Sequence, residues 1–244
     1  MNDRLNRAEG DVDRIVHQRF FSPGDSAGRV FVDVGAARPD FLSIGAYYRA
    51  LGWRVIGIEA NPEFCKLHRD RGHEIYQYAC GQHDEDDVDF TVVDSHGAGY
   101  ENGEVSFESF SSLGIKPSYA SLKADLDCRR IKVRLRRLDS ILTEHAREVE
   151  GIDILSIDVE GWELEVLDGF DLPRYQPRVM IIENWFNDEK YRVYMKRNGY
   201  ILWQQVYPND IYVSRREVGY GVSGWRIYFE GYRNQKLGRK PQEA

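Results

Sequence analysis

Four acidic residues end four short apolar runs in this sequence of 244 residues. Short apolar runs that are rich in β-branched residues are typical of buried strands in a parallel sheet. Ligands of such sheets bind just beyond the carboxyl ends of the strands. The sequence therefore predicts that these four carboxylates meet at one edge of a sheet and belong to a binding site. They are Asp33, Glu59, Asp158 and Glu183.

The segment that begins at Asp33 continues with three small residues, Gly35, Ala36 and Ala37, after Val34. Small residues allow a backbone to approach a ligand closely. The segment lacks the repeated glycines that cradle a dinucleotide pyrophosphate, which disfavours that ligand. An amino acid joined to a nucleoside needs only a tight turn and a carboxylate. We therefore predict that Gly35, Ala36 and Ala37 contact such a cofactor and that Asp33 faces its ammonium group.

Glu59 ends the second apolar run, where a carboxylate can accept hydrogen bonds from both hydroxyls of a ribose. We predict that role for Glu59, with a capping or ion-paired surface glutamate as the alternative. The cofactor pocket is expected to include four further residues near the ends of the second and third strands. They are Ala60, Asn61, Ala79 and Cys80.

Asp158 and Glu160 would share a face of a strand, and Glu183 ends the next predicted strand. Three carboxylates at one edge repel each other, so one should have a raised pKa or a cation should lie between them. Either arrangement suits the transfer of a chemical group to an alcohol oxygen, because the alcohol must lose its proton as the group arrives. We therefore predict that all three are catalytic, with Asp158 also at the cofactor. A divalent cation such as Mg²⁺ would be bound by Asp158, Glu183 and Asn184.

The alternative for this acidic group is structural. Asp158 would then cap the following helix, and the two glutamates would pair with arginines.

Apolar runs alternate with amphipathic segments along most of the chain, which predicts an α/β fold with a Rossmann-like doubly wound sheet. The sheet should be mostly parallel, with one antiparallel strand near its C-terminal end and a small β insertion. The predicted organisation is an N-terminal helical extension (1–28), a main domain (29–214) with the insertion at about 79–137, and a C-terminal extension (215–244).

Basic and apolar residues alternate within the insertion, over Arg129–Arg137. Charged residues on an edge strand prevent aggregation, and this is the favoured interpretation. An anion-binding face is the alternative.

Seven short motifs stand out along the chain: Phe31–Ala36, Ile58–Pro62, Ser111–Leu113, Leu138-Asp139, Ile154–Gly169, Ile182-Glu183 and Asn209–Ile211. Together they resemble the FkbM family of methyltransferases. The resemblance implies a class I methyltransferase fold, S-adenosylmethionine as methyl donor, and O-methylation of a sugar, glycan or secondary metabolite. It also implies that Asp33, Gly35 and Glu59 hold the cofactor and that Asp158, Glu160 and Glu183 line the reaction centre.

Two other functions remain open at the level of sequence. A nicotinamide-dependent oxidoreductase would also use Glu59, but it would normally carry the glycine fingerprint that this chain lacks. A non-catalytic cofactor-binding protein could keep the same fold.

The formal net charge of −7 disfavours nucleic acid as a partner, because the field of the protein repels phosphates. No apolar run has the length of a membrane span, and the first ten residues lack the apolar stretch of a signal peptide. We therefore expect a cytoplasmic protein, and the family resemblance implies a small-molecule or glycan acceptor. The sequence leaves the oligomeric state open, a homodimer included.

Overall fold

The computed structural model describes residues 8–22, 24, 27–94, 99–100, 105–106, 111–119, 127–218 and 222–237. The strands are β1 (Val30–Val34), β2 (Arg54–Glu59), β3 (Ile75–Gln77), β4 (Ala79–Cys80), β5 (Glu85–Asp94), β6 (Gly99–Tyr100), β7 (Val105–Ser106), β8 (Asp127–Arg136), β9 (Ile154–Ile157), β10 (Val179–Glu183), β11 (Tyr200–Val206) and β12 (Asn209–Ser214). The α-helices are α1 (Val12–Phe20), α2 (Ile44–Ala50), α3 (Pro62–Arg69), α4 (Leu138–His145), α5 (Glu163–Asp168), α6 (Leu172–Tyr175), α7 (Glu189–Arg197), α8 (Arg215–Val218) and α9 (Val222–Leu237).

Seven strands form the main sheet in the order β3-β2-β1-β9-β10-β12-β11. All neighbouring pairs from β3 to β10 are parallel, whereas β12 runs antiparallel to both β10 and β11. The tight connection through Tyr207 and Pro208 forces this reversal, because a hairpin joins antiparallel strands. The predicted doubly wound α/β fold with an antiparallel strand near the C-terminal end is therefore confirmed.

The register of the central strands aligns their carboxyl ends. Val34 lies opposite Ile58 on β2 and opposite Ile157 on β9. Ile157 in turn lies opposite Ile182 on β10. The residues that follow these positions therefore emerge at one edge of the sheet.

The two faces of the sheet bury separate cores. One core packs Val32, Val34 and Leu155 against α4 to α7. The other packs Phe31 and Ile154 against α1 and α2. This alternation follows from the two-residue period of a strand, which directs successive side chains to opposite faces.

The two ends of the described chain pack on the main domain. Val12 and Val16 on α1 are fully buried, as expected of an amphipathic helix on the core. At the other end, α9 contacts β11 closely: a Cβ added at Gly231 would lie 3.0 Å from the carbonyl oxygen of Leu202. Residues 1–7 and 238–244 of the two predicted extensions lie outside the described residues.

The predicted insertion forms a second sheet in the order β4-β8-β5. Its two long strands extend over ten residues each. Basic residues of β8 pair with acidic residues of β5, with 2.8 Å between Lys132 Nζ and Asp89 Oδ1 and 2.6 Å between Arg136 Nη2 and Asp86 Oδ1. These pairs neutralise much of the basic face, which disfavours anion binding. However, β8 is the middle strand of this sheet, paired with β5 and, over two residues, with β4, and not the edge strand that the pattern predicted.

Candidate functional site

A pocket opens at the carboxyl ends of β1, β2 and β9, where the insertion sheet faces the main sheet. It has about 510 Å³ of empty space that is continuous with solvent. A concave site at this position is where doubly wound sheets bind their ligands. The lining residues are Val34, Gly35, Ala37, Ile58, Glu59, Ala60, Phe64, Tyr78, Ala79, Cys80, Phe90, Ser111, Ser112, Leu113, Asp158, Val159 and Trp162.

Gly35 forms the turn at the end of β1, and no other residue fits there. Its φ of 81° lies in the left-handed region. A Cβ at this position would lie 1.8 Å from the carbonyl oxygen of Asp158. The amide of Asp158 also donates a hydrogen bond to the carbonyl oxygen of Val34, at 3.0 Å. Gly35 therefore lets the ends of β1 and β9 come into direct backbone contact.

Glu59 lies at the floor of the pocket and is buried. Its Oε2 accepts a hydrogen bond from the Ala37 amide at 2.9 Å, and its Oε1 accepts one from the Asn61 amide at 2.6 Å. Burial raises the pKa of Glu59 to about 7, and these amides act in the opposite direction because they stabilise the charged form. The carboxylate thus fixes the loops that follow β1 and β2.

Asp33 has a different position from the one that the sequence suggested. It is buried, but it is not among the described residues that line the pocket. Its carboxylate is directed at the start of α2, where the Gly45 amide donates to it. Burial raises the pKa of Asp33 to about 6, although the nearby charge of Arg49 lowers it. This geometry favours a structural role at α2 over contact with an ammonium group.

Two other predicted cofactor residues, Asn61 and Ala36, are buried and do not line the described part of the pocket. Asn61 caps α3, because its Oδ1 accepts from the Glu63 amide at 3.0 Å. Ala36 is buried, and its amide donates to the carbonyl oxygen of Ile58 at 3.2 Å. Neither belongs to the described lining, whereas Gly35, Ala37, Glu59, Ala60, Ala79, Cys80 and Asp158 do.

The structure brings the three predicted catalytic carboxylates together. One oxygen each from Asp158, Glu160 and Glu183 lies within 4.8 Å of the others. Glu160 has a left-handed φ of 61°, and Gly161 follows with a φ of 94°. This turn, rather than a strand face shared by two residues, places Glu160 beside Asp158. Tyr119 packs over the turn, and its hydroxyl donates to Glu183 Oε2 at 3.2 Å.

The negative charges of this cluster raise each other's pKa. Burial and then repulsion from Asp158, Glu160 and Glu163 raise the pKa of Glu183 well above its ordinary value. Desolvation and then the charges of Glu9 and Glu163 raise the pKa of Asp158 to about 8. The Asp158 residue is nevertheless exposed to solvent, which screens part of the repulsion, so we place the larger rise at Glu183. The pair is therefore expected to hold a proton near neutral pH.

Glu163 lies beside this cluster, where its charge raises the pKa of both Asp158 and Glu183, and no sequence pattern predicted it. Its Oε1 accepts hydrogen bonds from the amides of Val159 and Gly161, and its Oε2 accepts one from the Tyr191 hydroxyl at 2.5 Å. Glu163, rather than Asp158, thus holds the turn that precedes α5. The position at the start of a helix offered a signal for a capping acid, but Tyr191 lies on α7 and could not be paired with it from sequence.

Asn184, the remaining predicted metal ligand, is bonded to other groups. Its side-chain nitrogen donates to the carbonyl oxygen of Asp188 and to Asp210 Oδ2, at 3.2 and 2.9 Å. Its side-chain oxygen accepts from the Asp188 amide at 2.7 Å. Asn184 therefore holds the segment after β10 to the start of α7.

The sheet order, the antiparallel β12 and the pocket at the carboxyl ends of the strands define a class I methyltransferase-like fold. The profile of the Methyltransferase FkbM domain matches residues 33–202, which is most of the chain. This chain belongs to the FkbM methyltransferase family. The matched segment contains every residue of the carboxylate cluster and of the described pocket lining.

Two individual proteins are also similar to this chain. Methyltransferase sdnD of Sordaria araneosa is 38% identical over 63 residues, which are 23% of this chain and 24% of that protein. The similarity thus spans about a quarter of the length of that curated relative. The crystal structure of precorrin-6y C5,15-methyltransferase from Geobacter metallireducens GS-15 aligns with 83% of this chain and 87% of its own, at 13% identity and a TM-score of 0.41.

Among the described residues, none of the helices combines the length and the apolar character that crossing a membrane requires.

Proposed function

We propose that this chain transfers a methyl group from S-adenosylmethionine to a hydroxyl of a small-molecule or glycan acceptor. The observation that carries the proposal is the position of Asp158. It lines the pocket and also belongs to the carboxylate cluster, so a cofactor site and a group able to accept a proton share one residue. Family membership supports methyl transfer, and the cluster supports oxygen as the acceptor atom.

The pocket offers groups that fit each part of the cofactor. Glu59 presents a carboxylate for the ribose hydroxyls, once they replace or join the amides that it now holds. Phe64, Phe90 and Leu113 provide apolar walls suited to an adenine ring. Small residues such as Ala60 and Ala79 leave space between these walls. Asp158 is also part of the lining, and the methyl group would have to point toward it.

The bound cofactor would supply an electrophilic methyl carbon on a sulfonium. Methyl transfer from it to the acceptor oxygen would leave the electron pair of the broken C–S bond on sulfur. The hydroxyl proton must leave at the same time, and Asp158 is the most accessible carboxylate of the cluster to accept it. Buried Glu183 beside it holds the proton of the pair, and its hydrogen bond to Asp158 lowers the pKa of Asp158, which favours the ionised form that can accept a proton. Much of the rate would come from holding oxygen and carbon in line.

A divalent cation such as Mg²⁺ is an alternative source of hydroxyl activation at the same place. Three carboxylate oxygens within 4.8 Å of each other are a donor set that Mg²⁺ accepts. Asp158, Glu160 and Glu183 would hold it. Asn184 would not, because its amide is bonded to Asp188 and Asp210. A bound cation would lower the pKa of a coordinated hydroxyl, and it would also relieve the repulsion within the cluster.

The surroundings of the cluster favour an acceptor without negative charge. Glu9 and Glu163 add to the repulsion at Asp158, so a phosphorylated or carboxylated acceptor would approach an unfavourable field. Phe186 offers an apolar surface next to the cluster. Its ring is 47% exposed and packs edge-on against Tyr119, with 5.0 Å between ring centroids. A neutral ring that carries hydroxyl groups, as in a sugar, suits this combination.

Calorimetric titration with S-adenosylmethionine and S-adenosylhomocysteine tests the proposal. We expect affinity in the micromolar range for the intact protein and loss of at least about tenfold for Glu59→Ala, because the variant lacks the carboxylate that would bind the ribose. Glu63→Ala removes a nearby exposed glutamate and should keep the affinity. A folded wild-type protein that binds neither compound would refute the proposed function. Binding that Glu59→Ala retains would refute only the role of Glu59.

A further inference from the structure

His68 lies directly behind the cofactor loop, on the buried face of α3. Its ring is fully buried. The ring nitrogen Nε2 lies 3.1 Å from the carbonyl oxygen of Ala37, and Nδ1 lies 3.2 Å from Nδ1 of His73. The roles of the two histidines become apparent only in the structure, where the loop after β1 lies beside the last turn of α3.

This geometry allows only one arrangement of protons for a neutral pair. A carbonyl oxygen only accepts, so His68 must carry its proton on Nε2 and donate it to Ala37. The Nδ1 atom of His68 is then an acceptor, so His73 must carry its proton on Nδ1 and donate it to His68. Burial and the nearby charge of Arg49 lower the pKa of both histidines, which keeps both rings neutral at pH 7.

The backbone conformation of Ala37 is unfavourable and is stabilised by hydrogen bonds to both its amide and its carbonyl group. Its φ of 44° is left-handed, a conformation that residues with a side chain rarely adopt. The Ala37 amide donates to Glu59, and the Ala37 carbonyl accepts from His68. Because Ala37 also lines the pocket, these two hydrogen bonds fix part of the pocket wall.

We propose that His68 is a positioning residue that holds Ala37 in the conformation required for cofactor binding, and that His73 sets the tautomer of His68. The role in binding rests on the proposed function of the pocket. His68 does not line the described part of the pocket and would act through the Ala37 peptide group.

The tautomers can be measured without any ligand. Long-range ¹H–¹⁵N correlation spectra of ¹⁵N-labelled protein at neutral pH distinguish the two neutral forms of each imidazole. We expect the Nε2–H form for His68 and the Nδ1–H form for His73. Substitution of each histidine by glutamine assigns the signals. A protonated ring or the Nδ1–H form at His68 would overturn the proposal.

The effect on binding is measured by titration with S-adenosylhomocysteine. His68→Leu should weaken binding by about fivefold or more, because it removes the donor to Ala37. His68→Gln should stay within about twofold of wild type, because the glutamine amide can donate to the same oxygen. His17→Leu is the matched control: His17 is also buried, but it packs against Phe21 and Tyr47 and should keep full affinity.

The possible outcomes separate the positioning role from a general loss of stability. A folded His68→Leu variant with wild-type affinity would overturn the positioning role alone. If His68→Leu does not fold, His73→Phe tests the positioning role instead. It removes the donor that selects the tautomer, and it should weaken binding while the fold persists. Unchanged affinity in that variant would count against the proposal. Failure of the wild-type protein to bind would refute the positioning role together with the proposed function.

Discussion

Gly35 shows how strongly one residue can constrain the whole site. The backbone of β1 touches the backbone that follows β9 at this point, and both segments line the pocket. Any side chain would push them apart. The sequence identified Gly35 as a position where a ligand approaches closely. The structure shows that the close partner is the protein's own Asp158 carbonyl group.

The variant Gly35→Ala should therefore be severely destabilised. We expect a loss of about 3 kcal/mol or more in the free energy of unfolding, from the clash and from the left-handed φ. Gly52→Ala is the control, because Gly52 has a similar φ of 82° but nothing within 4 Å of the added Cβ. That change should cost only about 1 kcal/mol. Urea denaturation measures both, and equal losses in the two variants would contradict the argument from the Asp158 contact.

Asp33 and Glu59 illustrate what a residue pattern can and cannot predict. Both were correctly expected near the edge of the sheet, since both come at the ends of apolar runs. The position of a residue at the end of a strand does not by itself show where its side chain points. Val34 lines the pocket, so the alternation along β1 directs Asp33 away from it, toward α2. Glu59 reaches the pocket because it is the last residue of β2 and lies one register position beyond Val34, the last residue of β1.

At the scale of elements, the insertion sheet serves as a wall of the pocket. Phe90 on β5 lines the cavity, and it packs in a small core with Ala79, Val133 and Leu135. The charges on the outer face of the same sheet form exposed ion pairs such as Lys132 with Asp89. The buried face and the exposed face should therefore contribute very differently to stability and binding.

This difference can be tested with two substitutions on the insertion sheet. Phe90→Ala should lose about 3 kcal/mol of unfolding free energy and should weaken cofactor binding, because it leaves a cavity in the pocket wall. Lys132→Gln should change the unfolding free energy by less than about 0.5 kcal/mol, because exposed pairs contribute little. Thermal denaturation and titration with S-adenosylhomocysteine measure the two effects. A neutral Phe90→Ala would show that the insertion is not a wall of the site.

The elements were more predictable than the contacts between them. Strands of the main sheet could be placed because their apolar runs are short and end at small or acidic residues. The insertion was harder to delimit, because acidic residues such as Asp86 and Asp89 are rare in strands, and their pairing with basic residues of β8 is apparent only in the structure. Contacts such as Glu163 with Tyr191 and His68 with Ala37 join residues that are distant in sequence or on different elements. No local pattern specifies them.

At the scale of the molecule, the carboxylate cluster depends on several elements at once. Asp158 and Glu160 follow β9, Glu163 begins α5 and Glu183 ends β10. Tyr119 and Tyr191 add hydrogen bonds from elsewhere in the chain. Placing these carboxyl groups together costs free energy, which the rest of the fold must offset. Repulsion of this kind at a sheet edge is typical of functional sites.

The cluster should make the stability of the protein depend on pH. Burial and repulsion raise the pKa of Glu183 above the 4.5 of an ordinary glutamate, so the folded state keeps a proton that the unfolded state has already released. Unfolding then releases protons, and its free energy falls as the pH rises above about 4.5, until the folded pKa is passed.

Glu183→Gln removes the titrating group and keeps an oxygen that can accept from Tyr119. From pH 5 to pH 8, the unfolding free energy of Glu183→Gln should rise relative to that of the wild type by at least about 1.4 kcal/mol, which corresponds to one pKa unit. Urea denaturation at several pH values measures this gain. Glu150→Gln, which changes an exposed glutamate, should follow the wild-type curve. Parallel curves for Glu183→Gln and wild type would mean that the buried cluster carries no excess proton.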